Sequence, residues 1–116
     1  MTTEEKIIEM VADHFDVSID RLKEITRDRP IVEARQIIFY LCRYTLPLSF
    51  NRIGKLFHKD HATVLHSVRA VERRMEVYPL ERAVIIKFLQ RINECKDTER
   101  MLKDEEAFME NDFYLN

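Results

Sequence analysis

Two short amphipathic runs separated by a three-residue polar break constrain this chain more than any other feature. Ile53, Leu56 and Phe57 end the first run, and His58-Lys59-Asp60 form the break. Val64, Leu65, Val68, Val71 and Met75 then recur at helical spacing. Two helices joined by so tight a turn form a helix-turn-helix, whose second helix has dimensions that suit a DNA major groove. That second helix opens with Asp60, His61, Ala62 and Thr63, while His66, Arg69 and Arg73 fall opposite its apolar stripe.

The rest of the chain also reads as helix. Ile7, Ile8, Val11, Ala12 and Phe15 share a face in a first helix from about Thr3 to His14, with Thr2 or Thr3 as its cap. Ser18 is suited to cap a brief second helix running through Leu22 and Ile25. A basic connector, residues 26–29, leads to Pro30 in the first turn of a third helix over about 30–46. Its expected buried residues are Ile31, Ala34, Ile38, Leu41 and Cys42. Pro47 ends it, Ser49 caps a helix over about 49–57, and the next runs from about Asp60 to Val77. Beyond Pro79, Leu80, Val84, Ile85, Phe88, Leu89 and Ile92 give a further amphipathic helix over about 80–96. It either packs back on the preceding module or pairs with a partner. No segment alternates strongly enough to demand a strand, so the expected fold class is all-α.

Composition excludes several functions. A single glycine, Gly54, cannot build a P-loop or a dinucleotide-binding turn, which need several glycines so that backbone amides reach phosphate oxygens. No apolar run approaches the roughly 20 residues of a membrane helix. The opening MTTEEKIIEM is acidic and carries no expected secretory signal. Cys42 and Cys95 follow no pairing pattern, which fits a reducing, cytoplasmic setting. His61 and His66 stand five apart, about 140° around a helix, whereas a shared metal prefers i,i+4 spacing. No metal, cofactor, small-molecule substrate or enzymatic activity is expected.

Charge is distributed unevenly. Residues 1–20 hold one Lys against six acids, 21–74 hold twelve Lys/Arg against five acids, and 75–116 hold six against ten. The overall charge of −2 therefore hides a basic middle between acidic ends. Screening limits attraction to about 8 Å at physiological salt, so the local excess governs contact with a polyanion.

Four segments carry a resemblance: VADHFDVSIDRL (11–22), ARQIIFYLCR (34–43), SFNRIGKLF (49–57) and above all KDHATVLHSVRAVE (59–72). In this order they resemble the C-terminal DNA-binding domain of the bacterial replication initiator DnaA, over about residues 7–75. The resemblance implies a Trp-repressor-like helix-turn-helix bundle over 1–77; it fades after Met75, and residues 78–116 read from their own pattern as a helical extension with an acidic tail. It implies that Arg27 enters a minor groove and that Asp60, His61 and Ala62 face base edges in the major groove. Arg35, Gln36, Arg43, Asn51, Thr63 and His66 would hold the phosphate backbone, with Lys59 and Arg69 contributing charge. The implied partner is double-stranded DNA, bound selectively at initiator-type boxes in replication initiation or its regulation, without ATPase activity.

Three departures stand beside this. The turn is one residue shorter than the usual one, with His58 where glycine is common. Ala62 lacks the hydroxyl often found at its position, and the initiator's ATPase module has no counterpart in these 116 residues. An alternative from another class is a protein-interaction module on a degenerate DNA-binding scaffold, with residues 80–116 recruiting a partner; a transcription regulator is a third reading. For the acidic run 97–112, the sharper expectation is that it repels DNA or mimics it.

Overall fold

Side-chain caps set the helix starts. In the computed structural model, which describes residues 2–95, Thr2 Oγ1 accepts from the Glu5 backbone N–H at 3.2 Å and Glu5 Oε2 accepts from the Thr2 N–H at 3.0 Å. This reciprocal box starts α1, Thr3–Phe15. Ser18 caps α2, Ile19–Leu22, and Ser49 caps α4, Phe50–Gly54, each accepting from a backbone N–H three residues on. The third helix, α3, spans Arg29–Thr45 with Pro30 in its first turn, where the missing N–H costs nothing. A 3₁₀ turn over Lys55–Phe57 continues α4, and α5 runs His61–Val77. A sixth helix, α6, covers 79–95. No strand occurs among the described residues, and none of their helices is long and apolar enough to cross a membrane. The acidic run 97–112 lies outside the described residues.

The core forms around α3. Ile31, Ala34, Ile37, Ile38, Phe39, Tyr40, Leu41 and Cys42 are all buried, so this helix is covered on nearly every side. Helices α1 and α5 flank it, supplying Ile7 and Val11 from one and Val64, Val68 and Val71 from the other. Phe39 meets Phe57 with ring centroids 5.7 Å apart. Of the two arrangements open to α6, the structure shows the first. Its Ile85, Phe88 and Ile92 join the same cluster, and Phe88 meets the His14 ring edge-on at 5.2 Å.

One expected boundary and one expected burial differ. Helix α2 stops at Leu22 rather than reaching Ile25, whose side chain is 98% exposed. The physical reason is Arg35, which draws the carbonyls of the following residues away from helical bonding. Leu80, expected on the apolar face of the last helix, is 84% exposed at its start, before that face reaches the core.

Candidate nucleic-acid interface

The turn between α4 and α5 is closed by two backbone features. The Lys59 N–H donates to the Gly54 carbonyl at 2.8 Å, and His58 takes the left-handed conformation, φ 56° and ψ 41°. Residues other than glycine adopt that region at a cost. His58 therefore supplies, under strain, the conformation that a glycine would supply freely, and the shortened turn still reverses the chain.

Asp60 then starts α5. Its Oδ1 accepts from the Thr63 N–H at 2.8 Å, which satisfies one of the four orphan donors of the first turn. The Thr63 backbone bond, followed by the Thr63 side chain, holds the Asp60 carboxyl below the ordinary carboxylate range. In the free protein Asp60 therefore acts as the cap of α5. His61 and Thr63 are exposed and Ala62 is half-buried at the mouth of this turn. Down the helix, His66, Arg69 and Arg73 are exposed at spacings that align them with Ala62 on one stripe, opposite Val64, Val68 and Val71.

The connector before α3 is built from the inside. Arg35 is only 7% exposed, and its Nη1 donates to the carbonyls of Leu22 at 3.3 Å and Glu24 at 2.8 Å. Its Nη2 donates to the Thr26 carbonyl at 3.4 Å. Burial draws this guanidinium below its ordinary pKa, and the three carbonyls offset the desolvation. Sequence reasoning expected Arg35 to hold a phosphate; the structure places it inside, with its donors on the chain's own backbone. The signal was present, because Ile31, Arg35, Ile38 and Cys42 share one helical face and the other three are apolar.

Arg27 rides on this clamped connector and is exposed. Two nearby acids are engaged by Arg21 instead, Asp28 at 2.7 Å and Glu24 at 3.6 Å. Among the described residues no ion pair reaches Arg27.

Of the other expected residues, Asn51 is exposed in the first turn of α4 and Lys59 is half-buried in the turn. Arg43 is exposed, its guanidinium lying over the Phe50 ring at 4.7 Å. Gln36 is half-buried, and its Oε1 accepts from Arg74 Nη1 at 2.8 Å. Sequence reasoning missed that contact. It also missed the bond from the Tyr44 hydroxyl to Glu72, which joins α3 to α5 and pushes the Tyr44 pKa up to about 12. No group of three His, Cys, Asp or Glu among the described residues can hold a metal.

An all-α bundle in which two helices, α4 and α5, are joined by a tight turn that leaves the start of the second exposed defines the helix-turn-helix class. Within it, this chain belongs to the bacterial DnaA helix-turn-helix family, whose sequence profile matches residues 4–71. It is 48% identical over 75 residues to the chromosomal replication initiator protein DnaA of a Nostoc species, covering 64% of this chain and 16% of that protein. It is 41% identical over 71 residues to DnaA 1 of Chlamydia pneumoniae, covering 61% and 15%. With the DnaA of Lachnoclostridium phytofermentans the match extends over 88 residues at 39% identity, covering 75% and 19%. The chain spans less than a fifth of the length of these curated relatives.

Proposed function

We propose that this chain binds double-stranded DNA in the cytoplasm, selectively at initiator-type boxes, in replication initiation or its regulation and without ATPase activity. The observation that carries this reading is the pairing of two exposed elements. Asp60, His61 and Ala62 stand at the open start of α5, and an unpaired Arg27 stands on a rigid connector. In this reading Arg27 enters a narrow A·T-rich minor groove, where negative potential is concentrated. Asp60 and His61 face base edges in the adjacent major groove, and the Ala62 methyl offers an apolar contact to a thymine methyl. Gln36, Arg43, Asn51, Lys59, Thr63, His66 and Arg69 hold the phosphate backbone. Arg35 acts from behind, fixing the connector that presents Arg27.

A duplex titration with box and scrambled DNA at two salt concentrations tests this. Affinity should favour the box and fall as salt rises. Replacing Arg27 or His61 by Ala should cost about 1–3 kcal/mol on the box and narrow the preference over the scrambled duplex. Equal affinity for the two duplexes removes the sequence-selective claim.

A further inference from the structure

We propose that Arg74 and Glu81 are positioning residues for Gln36, fixing its side-chain amide as a hydrogen-bond donor toward the DNA backbone. The inference rests on the duplex-binding reading above and adds to it a dependence on α6, which lies beyond residues 4–71 matched by the family's sequence profile.

The geometry is a relay across three helices. Arg74, on α5, donates from Nε to Glu81 Oε1 on α6 at 2.6 Å and from Nη1 to Gln36 Oε1 on α3 at 2.8 Å. The Arg74 and Glu81 side chains are only 22% and 23% exposed, and Arg74 Nη2 is buried with no partner. The guanidinium is thus held by its two neighbours rather than by solvent. The corner between α5 and α6 is pinned as well. The Tyr78 N–H donates to the Arg74 carbonyl at 2.7 Å and the Arg82 N–H to the Tyr78 carbonyl at 3.1 Å, which sets Glu81 against Arg74.

Polarity gives this relay its meaning. A guanidinium has donors and no acceptor, so only the amide oxygen of Gln36 can face it. The amide nitrogen is then turned away from Arg74. A phosphate oxygen accepts hydrogen bonds and donates none, so this nitrogen is the end of the amide a DNA backbone can use. Without Arg74 the whole side chain is free to rotate as well as to turn over, and only a small fraction of its orientations presents the nitrogen to the phosphate. Glu81 keeps Arg74 in place by accepting the hydrogen bond from its Nε in a partly desolvated site.

The test uses the full chain, a box duplex and a scrambled duplex, with thermal unfolding of each variant followed in parallel. Glu81→Met removes the acceptor at similar size, and it should weaken duplex binding about fivefold to tenfold, as should Gln36→Ala. The double variant should lose no more than either single one. Glu81→Gln, whose carbonyl still accepts from Arg74, should recover most of the loss. Gln36→Glu should keep the contact with Arg74 and leave the unfolding temperature unchanged or raised, yet bind less tightly than Gln36→Ala. Losses that multiply in the double variant overturn the proposal, as does a Glu81→Met chain that unfolds earlier but binds normally. Because phosphate contact is independent of sequence, the coupling should appear on both duplexes. Box preference without coupling overturns this inference alone, coupling without box preference overturns only the selective reading, and failure to bind either duplex overturns both.

Discussion

At Gly54 there is no room for a side chain. A Cβ there would lie 2.3 Å from the Lys59 carbonyl oxygen, 3.1 Å from its carbon and 3.3 Å from the Asp60 oxygen. All three are backbone atoms of the turn, so the clash cannot be relieved by a rotamer change. Gly54→Ala should cost about 1–3 kcal/mol of stability in urea unfolding, as overpacking does, and should weaken duplex binding because the start of α5 must shift. An unchanged unfolding midpoint would show that the turn has slack that its hydrogen bond does not suggest. In the sequence, this glycine excluded phosphate loops but gave no hint of its packing role. That role depends on a carbonyl five residues away, which only the folded turn brings back. His58 was more legible, since a residue standing where glycine is common points to a left-handed backbone, and its φ is 56°. Arg27 and His61 were legible as exposed residues, whereas Arg35 was assigned by resemblance against the apolar face on which it sits.

At the scale of elements, capping residues made most helix starts readable, because Ser18, Ser49 and Asp60 each satisfy a donor that the sequence already predicts to be orphaned. Helix ends were less readable. The end of α2 depends on carbonyls turned toward Arg35, thirteen residues from Leu22, and α4 tightens into a 3₁₀ turn where Gly54 is approached by Lys59. The cap of α5 carries a pH dependence. Asp60 has its folded pKa lowered by the Thr63 bonds, so its contribution to stability is present above the unfolded value near about 4 and is lost as pH falls through the folded value. Unfolding free energy measured from pH 7 down to pH 3 should therefore fall more steeply in the native chain than in Asp60→Asn, which caps without a titrating charge. Parallel curves for the two proteins would place the acid sensitivity elsewhere.

For the molecule as a whole, the question is whether α6 is an appendage or part of the fold. Its amphipathic face was legible from Ile85, Phe88, Leu89 and Ile92, but periodicity shows only that a face is apolar and leaves its partner open. The structure supplies the partner: Ile85, Phe88 and Ile92 are buried in the cluster that also contains Ile7, Met10 and Val11 of α1. A core held in common implies one cooperative unit, with α6 unfolding together with the helix-turn-helix. Phe88→Ala should then cost about 3–5 kcal/mol, the range for truncating a buried aromatic, and urea unfolding should remain a single transition by far-UV and tyrosine signals. Ile86→Ala, at a position 40% exposed on the outer side of the same helix, should cost much less. The contrast matters because both changes alter the same helix by similar chemistry, so intrinsic helix propensity cannot account for a difference between them. A small loss at Phe88, or two separated transitions in the native chain, would mean that α6 folds on its own terms, and the relay from Glu81 through Arg74 to Gln36 would lose the rigid support it requires.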